Sequence, residues 1–127
     1  THRVAKAAYE RVNARQQAEF KKEYGALAHK LPGMVLQNGL AQATGFFLAK
    51  GTAAHLAILD DLLQVLRVSQ ASAANDRQAF HQSILDADLA QTLLLTRQAL
   101  QAASWLKRYA QGVLRVDATG TVQGTSS

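Results

Sequence analysis

The sequence predicts an all-α fold, a compact bundle of about six or seven helices with a long N-terminal helix. Alanine and leucine, both strong helix formers, supply 42 of the 127 residues (24 Ala and 18 Leu). β-Branched and aromatic residues are sparse, and the apolar positions recur at three- and four-residue spacing. Helix breakers are concentrated in one place. Tyr24–Gly39 holds the only proline, Pro32, and three of the eight glycines, Gly25, Gly33 and Gly39.

Residues 1–24 read as one amphipathic helix, with Ala5, Tyr9, Val12 and Phe20 on an inward stripe and Gln16 its polar member. Arg11, Arg15 and Lys22 lie almost opposite, as an exposed basic stripe. Gly25 loosens or ends this helix. A second, shorter helix over 25–37 faces Leu27, Leu31, Met34 and Val35 inward. Pro32 fits there only by starting a helical turn or kinking the helix, and Asn38-Gly39 is a stop signal. A third helix runs from about Leu40 to Lys50, with Leu40, Phe47 and Leu48 buried and Gly51 as its terminator.

Thr52 can cap a fourth helix over 53–68. Its Leu56, Leu59, Leu63 and Leu66 stripe is widened by Ile58, Leu62 and Val65, which makes it central. Residues 69–75 form a polar, small-residue loop, the best place for an insertion. Asp76 caps a fifth helix of about 77–85 with Phe80 and Ile84 inward. In 86–95, either Asp86 or Asp88 caps a short helix or the segment runs into the next one. Thr96 is a cap for the final helix, which ends near Leu114 with a close-packing seam of Ala99, Ala103, Leu106, Ala110 and Val113. Trp105 and Tyr109 occupy the adjacent face. Residues 1–115 thus form one helical domain, and 116–127, rich in Thr, Gly and Ser, a disordered tail.

Composition narrows the function. There is no cysteine, so disulfides and thiolate metal sites are excluded, in keeping with a reducing cytoplasm. Thr-His-Arg-Val-Ala-Lys does not read as a signal peptide. No apolar run approaches the ~18 residues of a membrane span. The net charge of +5 is lopsided: residues 1–50 carry eight Lys/Arg against three Glu, whereas 51–127 carry six against six. Such asymmetry fits a basic face presented to a polyanion, or else a solvated face that serves solubility.

No catalytic residues, metal site or cofactor emerge. His2, His29, His55 and His81 have no metal-ligand spacing, and His55 is turned about 140° from Asp60 on a helix. Glutamate is confined to Glu10, Glu19 and Glu23, so a carboxylate-bridged bundle site lacks its acids. Phosphate-binding loops, dinucleotide fingerprints and nucleophile elbows are missing. The candidates for backbone-directed, sequence-tolerant nucleic-acid contacts are Arg11, Arg15, Lys21, Lys22, Lys30, Lys50, Lys107 and Arg108.

Two motifs carry a resemblance to a known family. Tyr24-Gly25-Ala-Leu-Ala-His-Lys-Leu31-Pro32, followed by Asn38-Gly39-Leu40 and Phe46-Phe-Leu-Ala-Lys50-Gly51, resembles the N-terminal signature of the Cmr small-subunit family. Leu95-Thr96-Arg-Gln-Ala-Leu100 and Trp105-Leu106-Lys107-Arg108-Tyr-Ala110 resemble its closing motif. The likeness spans about residues 1–113. Leu93-Leu94-Leu95 departs from the more polar approach expected before the last helix.

The resemblance implies a non-catalytic, cytoplasmic subunit of type III-B CRISPR effector complexes, acting in antiviral defence. Copies would stack beside the backbone subunit and line the channel where guide RNA pairs with target RNA, with no small-molecule substrate and no membrane. It implies architectural roles for Pro32, Gly39 and Trp105. Two other readings stand beside it: a purely structural assembly protein without direct RNA contact, and a small metal-assisted hydrolase using His55 and Asp60.

Overall fold

A computed structural model of the chain describes residues 2–123. Six helices follow in order among them: α1 (His2–Asn13), α2 (Lys21–Asn38), α3 (Leu40–Lys50), α4 (Ala53–Val68), α5 (Arg77–Asp86) and α6 (Leu89–Tyr109). A wider π turn, Ala110–Leu114, prolongs α6. α4 packs against α1, α2 and α6, and α6 also lies along α1 and α2. α3 and α5 pack on each other and on α4. The core is continuous, with Tyr24, Phe47, Phe80, Leu59, Leu62, Leu63, Leu66 and Leu106 among its fully buried side chains. The mutual packing of α1, α2, α4 and α6 is what positions the charged residues of the candidate interface.

The long N-terminal helix is not formed; the longest helix is the C-terminal one. α1 stops at Asn13, and residues 14–20 descend through i→i+3 turns, with Arg15 N–H to Val12 O at 2.9 Å and Ala18 N–H to Arg15 O at 3.1 Å. Asn13 is a poor helix former, and its carboxamide oxygen accepts from Gln16 Nε2 at 2.7 Å. The inward stripe is also shifted. Val4, Ala7, Ala8 and Val12 are buried, Tyr9 is exposed, and Ala5 and Phe20 are half-buried.

Gly25 is not a break. It is buried inside α2, which begins at Lys21 and continues through Pro32 to Asn38. Pro32 is tolerated there despite the N–H it lacks. The stop falls at Gly39, where φ is +87°, a conformation open to glycine and strained for other residues. Gly39 N–H bonds Val35 O at 3.0 Å and its carbonyl accepts from Ala43 N–H at 3.1 Å, so one residue closes α2 and opens α3.

The middle of the chain follows the sequence closely. Gly51 ends α3 in the left-handed region, Thr52 Oγ1 accepts from His55 N–H, and Asp76 accepts from Ala79 N–H at 2.8 Å. Leu48 and Leu56 are only half-buried. The last helix starts earlier than Thr96, which is an interior residue of α6. Asp88 is its cap: its carboxylate accepts from Gln91 N–H at 2.8 Å, while Gln91 Oε1 accepts from Asp88 N–H at 3.0 Å. This capping box satisfies two end groups reciprocally, an advantage Thr96 lacks. The seam of Ala99, Ala103, Leu106 and Ala110 is fully buried as expected, with Val113 partly so.

Residues 116–123, expected to be structureless, fold back as a strap across α2. Arg115 turns the chain with φ +59°, and Val116 bridges Val122 in antiparallel fashion. Asp117 holds the turn, accepting from the Thr119 hydroxyl at 2.6 Å and from Thr121 N–H at 3.0 Å. Those bonds, the Thr119 hydroxyl first, hold its carboxyl down at a pKa of about 2. Val116 is buried against Gly25, and His29 Nε2 lies 2.8 Å from Val116 O. The rest of the expected tail, 124–127, lies outside the described residues.

The contact at Gly25 is specific. A Cβ there would fall 2.4 Å from Val116 Cβ. Gly25→Ala should therefore destabilise the protein by about 1–3 kcal/mol, although alanine is the better helix former. In urea melts the Gly25→Ala/Val116→Gly double variant should cost less than the sum of the two singles. Additive costs would show that the strap does not press on Gly25.

Candidate nucleic-acid interface

The eight cations picked out from the sequence divide into two groups. Arg11 and Arg15 do not form an exposed stripe with Lys22. Both turn inward onto Asp61, whose side chain is wholly buried on α4. Arg11 Nε donates to Asp61 Oδ1 at 2.8 Å, and Arg15 donates through Nη2 to Oδ1 at 2.7 Å and through Nε to Oδ2 at 3.0 Å. The buried Tyr24 hydroxyl completes the set, donating to Oδ2 at 2.6 Å. On one straight helix, residues 11 and 24 would stand roughly 20 Å apart on nearly opposite faces. They meet at one carboxylate only because the chain turns at 14–20.

The electrostatics follow from the burial. A carboxylate out of water needs opposite charge and filled lone pairs. Asp61 receives four donors from two arginines and a tyrosine. In return, the hydrogen bond to Asp61 raises the Arg15 pKa above its usual value. Burial, then the Asp61 charge and hydrogen bond, push the Tyr24 phenol well above its ordinary range. Arg15 also lies 5.8 Å from the Tyr24 ring centre.

The other cations remain directed outward or along the surface. Lys22, Lys30, Lys50 and Arg108 are exposed, while Lys21 and Lys107 are half-buried. No carboxylate pairs with any of these six among the described residues. Lys107 and Arg108 share a shallow hollow with Pro32, Ser104 and Gln111 where α6 meets α2. Lys50 Nζ stands 5.7 Å from the Phe46 ring centre at the end of α3. Arg108 covers Trp105 at 5.1 Å, and Trp105 stacks on Tyr109 with ring centres 5.7 Å apart.

The hydrolase reading is overturned by the partners of its two residues. His55 Nδ1 shares a hydrogen bond with Thr52 Oγ1 at 2.7 Å and stands 3.4 Å from Glu23. Asp60 accepts from Arg77 Nε at 2.9 Å and from its Nη2 at 2.6 Å. No cluster of three metal-ligating side chains forms among the described residues.

Sequence reasoning missed the Asp61 cluster, though one signal was present. An aspartate between Leu59 and Leu62-Leu63, on the helix that buries the most residues, must bring a cation inward.

The fold and charges define a small all-α bundle held by a buried carboxylate cluster, with surface cations that no carboxylate pairs among the described residues. The comparisons with known proteins identify the kind. The model of the family described as CRISPR-associated protein (Cas_Cmr5) matches residues 1–113. The CRISPR system Cmr subunit Cmr5 of Thermus thermophilus is 40% identical over 110 residues, 87% of this chain and 91% of that protein. The crystal structure of a CRISPR-associated Cmr5 family protein from the same organism has a TM-score of 0.79 at 40% identity, covering 87% of this chain and 93% of that one. The chain belongs to the Cmr5 family, the non-catalytic small subunits of the type III-B CRISPR (Cmr) complex. The Val116 strap lies beyond the matched residues.

Two outcomes are expected at Asp61. Asp61→Asn should destabilise by about 3–5 kcal/mol in chemical denaturation, because it leaves two arginines facing a neutral partner. Tyr24 has a folded pKa above the unfolded value of about 10. Its contribution is therefore complete below pH ~10 and is lost as the pH rises beyond it. Tyr24→Phe should lose about 1 kcal/mol at neutral pH and show a flatter decline in alkali; an unchanged alkaline slope would refute this.

Proposed function

We propose that this chain acts as a non-catalytic small subunit of a cytoplasmic type III-B CRISPR effector complex in antiviral defence. It stacks with further copies of itself and with other Cmr subunits, including the backbone subunit. It also helps to hold guide and target RNA through phosphate contacts. The observation that carries the RNA contact is that six of the eight candidate cations, Lys21, Lys22, Lys30, Lys50, Lys107 and Arg108, have no carboxylate partner among the described residues. Arg11 and Arg15 leave this set, since their guanidinium groups are committed to Asp61. No helix among the described residues is long and apolar enough to cross a membrane.

Stacking is supported by apolar surface left uncovered. Leu89, Leu93 and Leu94 on the first turns of α6 are 75%, 61% and 54% exposed, and Leu85 on α5 and Leu36 on α2 are also exposed. Apolar residues in such a group mark contact surfaces more often than isolated exposed leucines do. They also favour the second reading, an assembly subunit without direct RNA contact.

Binding of single-stranded RNA separates the two. Replacing Lys22, Lys30, Lys107 or Arg108 with glutamine should weaken binding across all sequences. Each lost contact should lower the slope of log affinity against log salt by about 0.7. Arg11→Gln and Arg15→Gln should instead lower folding stability. A fourfold-neutralised variant that joins the complex and captures target RNA normally would establish the purely structural reading.

A further inference from the structure

We infer that Trp105, together with Tyr109 and Arg108, forms a stacking platform for a nucleobase of single-stranded RNA. The inference rests on the proposed RNA contact and names how part of that contact is made. Three aromatic rings and a guanidinium form a ladder across two helices. Tyr9 on α1 meets Tyr109 edge-on at 5.4 Å. Tyr109 stacks on Trp105 with planes 21° apart, and Arg108 sits 5.1 Å over Trp105. Tyr24, Phe47 and Phe80 are fully buried, whereas in this ladder Tyr9 is 43% exposed and Trp105 and Tyr109 are half-buried. Phe46, 40% exposed at the end of α3, has no such stack of rings beside a cation among the described residues.

The chemistry around the ladder suits RNA better than an apolar partner. Arg108 is exposed and makes no ion pair among the described residues. An exposed cation over an aromatic ring is held weakly. It can therefore lift to sandwich a base against the indole, or swing to a phosphate while the base takes its place. Beside Arg108, Lys107, Ser104 and Gln111 line the hollow with Pro32 and offer polar groups to a backbone passing from α6 towards α2. A flat ring flanked by cations is a sequence-tolerant recognition element, because every base presents a π face.

Trp105 is the only tryptophan, so its fluorescence reports on this site alone. The purified protein is titrated with short unstructured poly(U) and poly(A) RNA, followed by anisotropy of the labelled RNA and by tryptophan emission. Inorganic polyphosphate serves as a polyanion without bases. RNA should quench the emission at the midpoint given by anisotropy, and polyphosphate should not. Arg108→Gln and Trp105→Leu should each weaken RNA binding by about five- to a hundredfold, with unchanged helix content by circular dichroism. The comparison of quenching by RNA and by polyphosphate uses the unaltered protein, so it decides the matter even if the tryptophan variant fails to fold. Binding without quenching, or equal quenching by polyphosphate, would overturn the platform and leave the phosphate-contact reading standing. No anisotropy change at low salt would overturn both.

Discussion

The carboxylate of Asp61 has no access to water, and the rest of the molecule is arranged around that constraint. Removing a charge from water costs several kcal/mol unless it is paired and its lone pairs are filled. Here the compensation comes from Arg11, Arg15 and Tyr24, drawn from α1, the 14–20 turn and α2, all converging on α4. Apolar packing alone would leave the relative placement of these segments loosely specified. A carboxylate with four directed donors admits one arrangement, and losing any donor leaves one of its lone pairs unfilled out of reach of water.

This lock also sorts the surface. Two of the eight cations in the basic first half, Arg11 and Arg15, are tied to the buried Asp61, and a third arginine, Arg77, is tied to Asp60. The positive charge offered outward therefore comes from the remaining cations, among them Lys22, Lys30 and Lys50 and, on α6, Lys107 and Arg108. On α2 the C-terminal strap occupies the notch at Gly25, with Gly120 lying close to the Lys22 carbonyl oxygen. Gly25 and Pro32, both expected as breakers, sit instead at two points where α2 meets C-terminal parts of the chain: the strap at Gly25 and the α6 hollow at Pro32.

Legibility followed the range of the deciding interactions. α3, α4 and α5 could be placed almost to the residue because Gly39, Gly51, Thr52 and Asp76 act on groups within four residues of themselves. The start of α6 depended on choosing among Asp86, Asp88 and Thr96, and the reciprocal bond from Gln91 decided it. The α1 boundary was not readable in this way. Residues 1–24 have sound helical periodicity, and the partner that makes the turn worthwhile lies 46 residues beyond Arg15. The strap was hidden for a similar reason: a polar, glycine-containing segment is ordered by a notch on a helix far earlier in the chain.

The sequence by itself determined the all-α class, the central helix, most caps, the buried alanine seam and the family, because composition, periodicity and motif order are local or linear properties. Tertiary structure alone decided which cations are structural and which are available. A guanidinium pointing to solvent and one filling a buried carboxylate have the same residue code and, in this chain, the same helical spacing. Only the three-dimensional position of Asp61 distinguishes them.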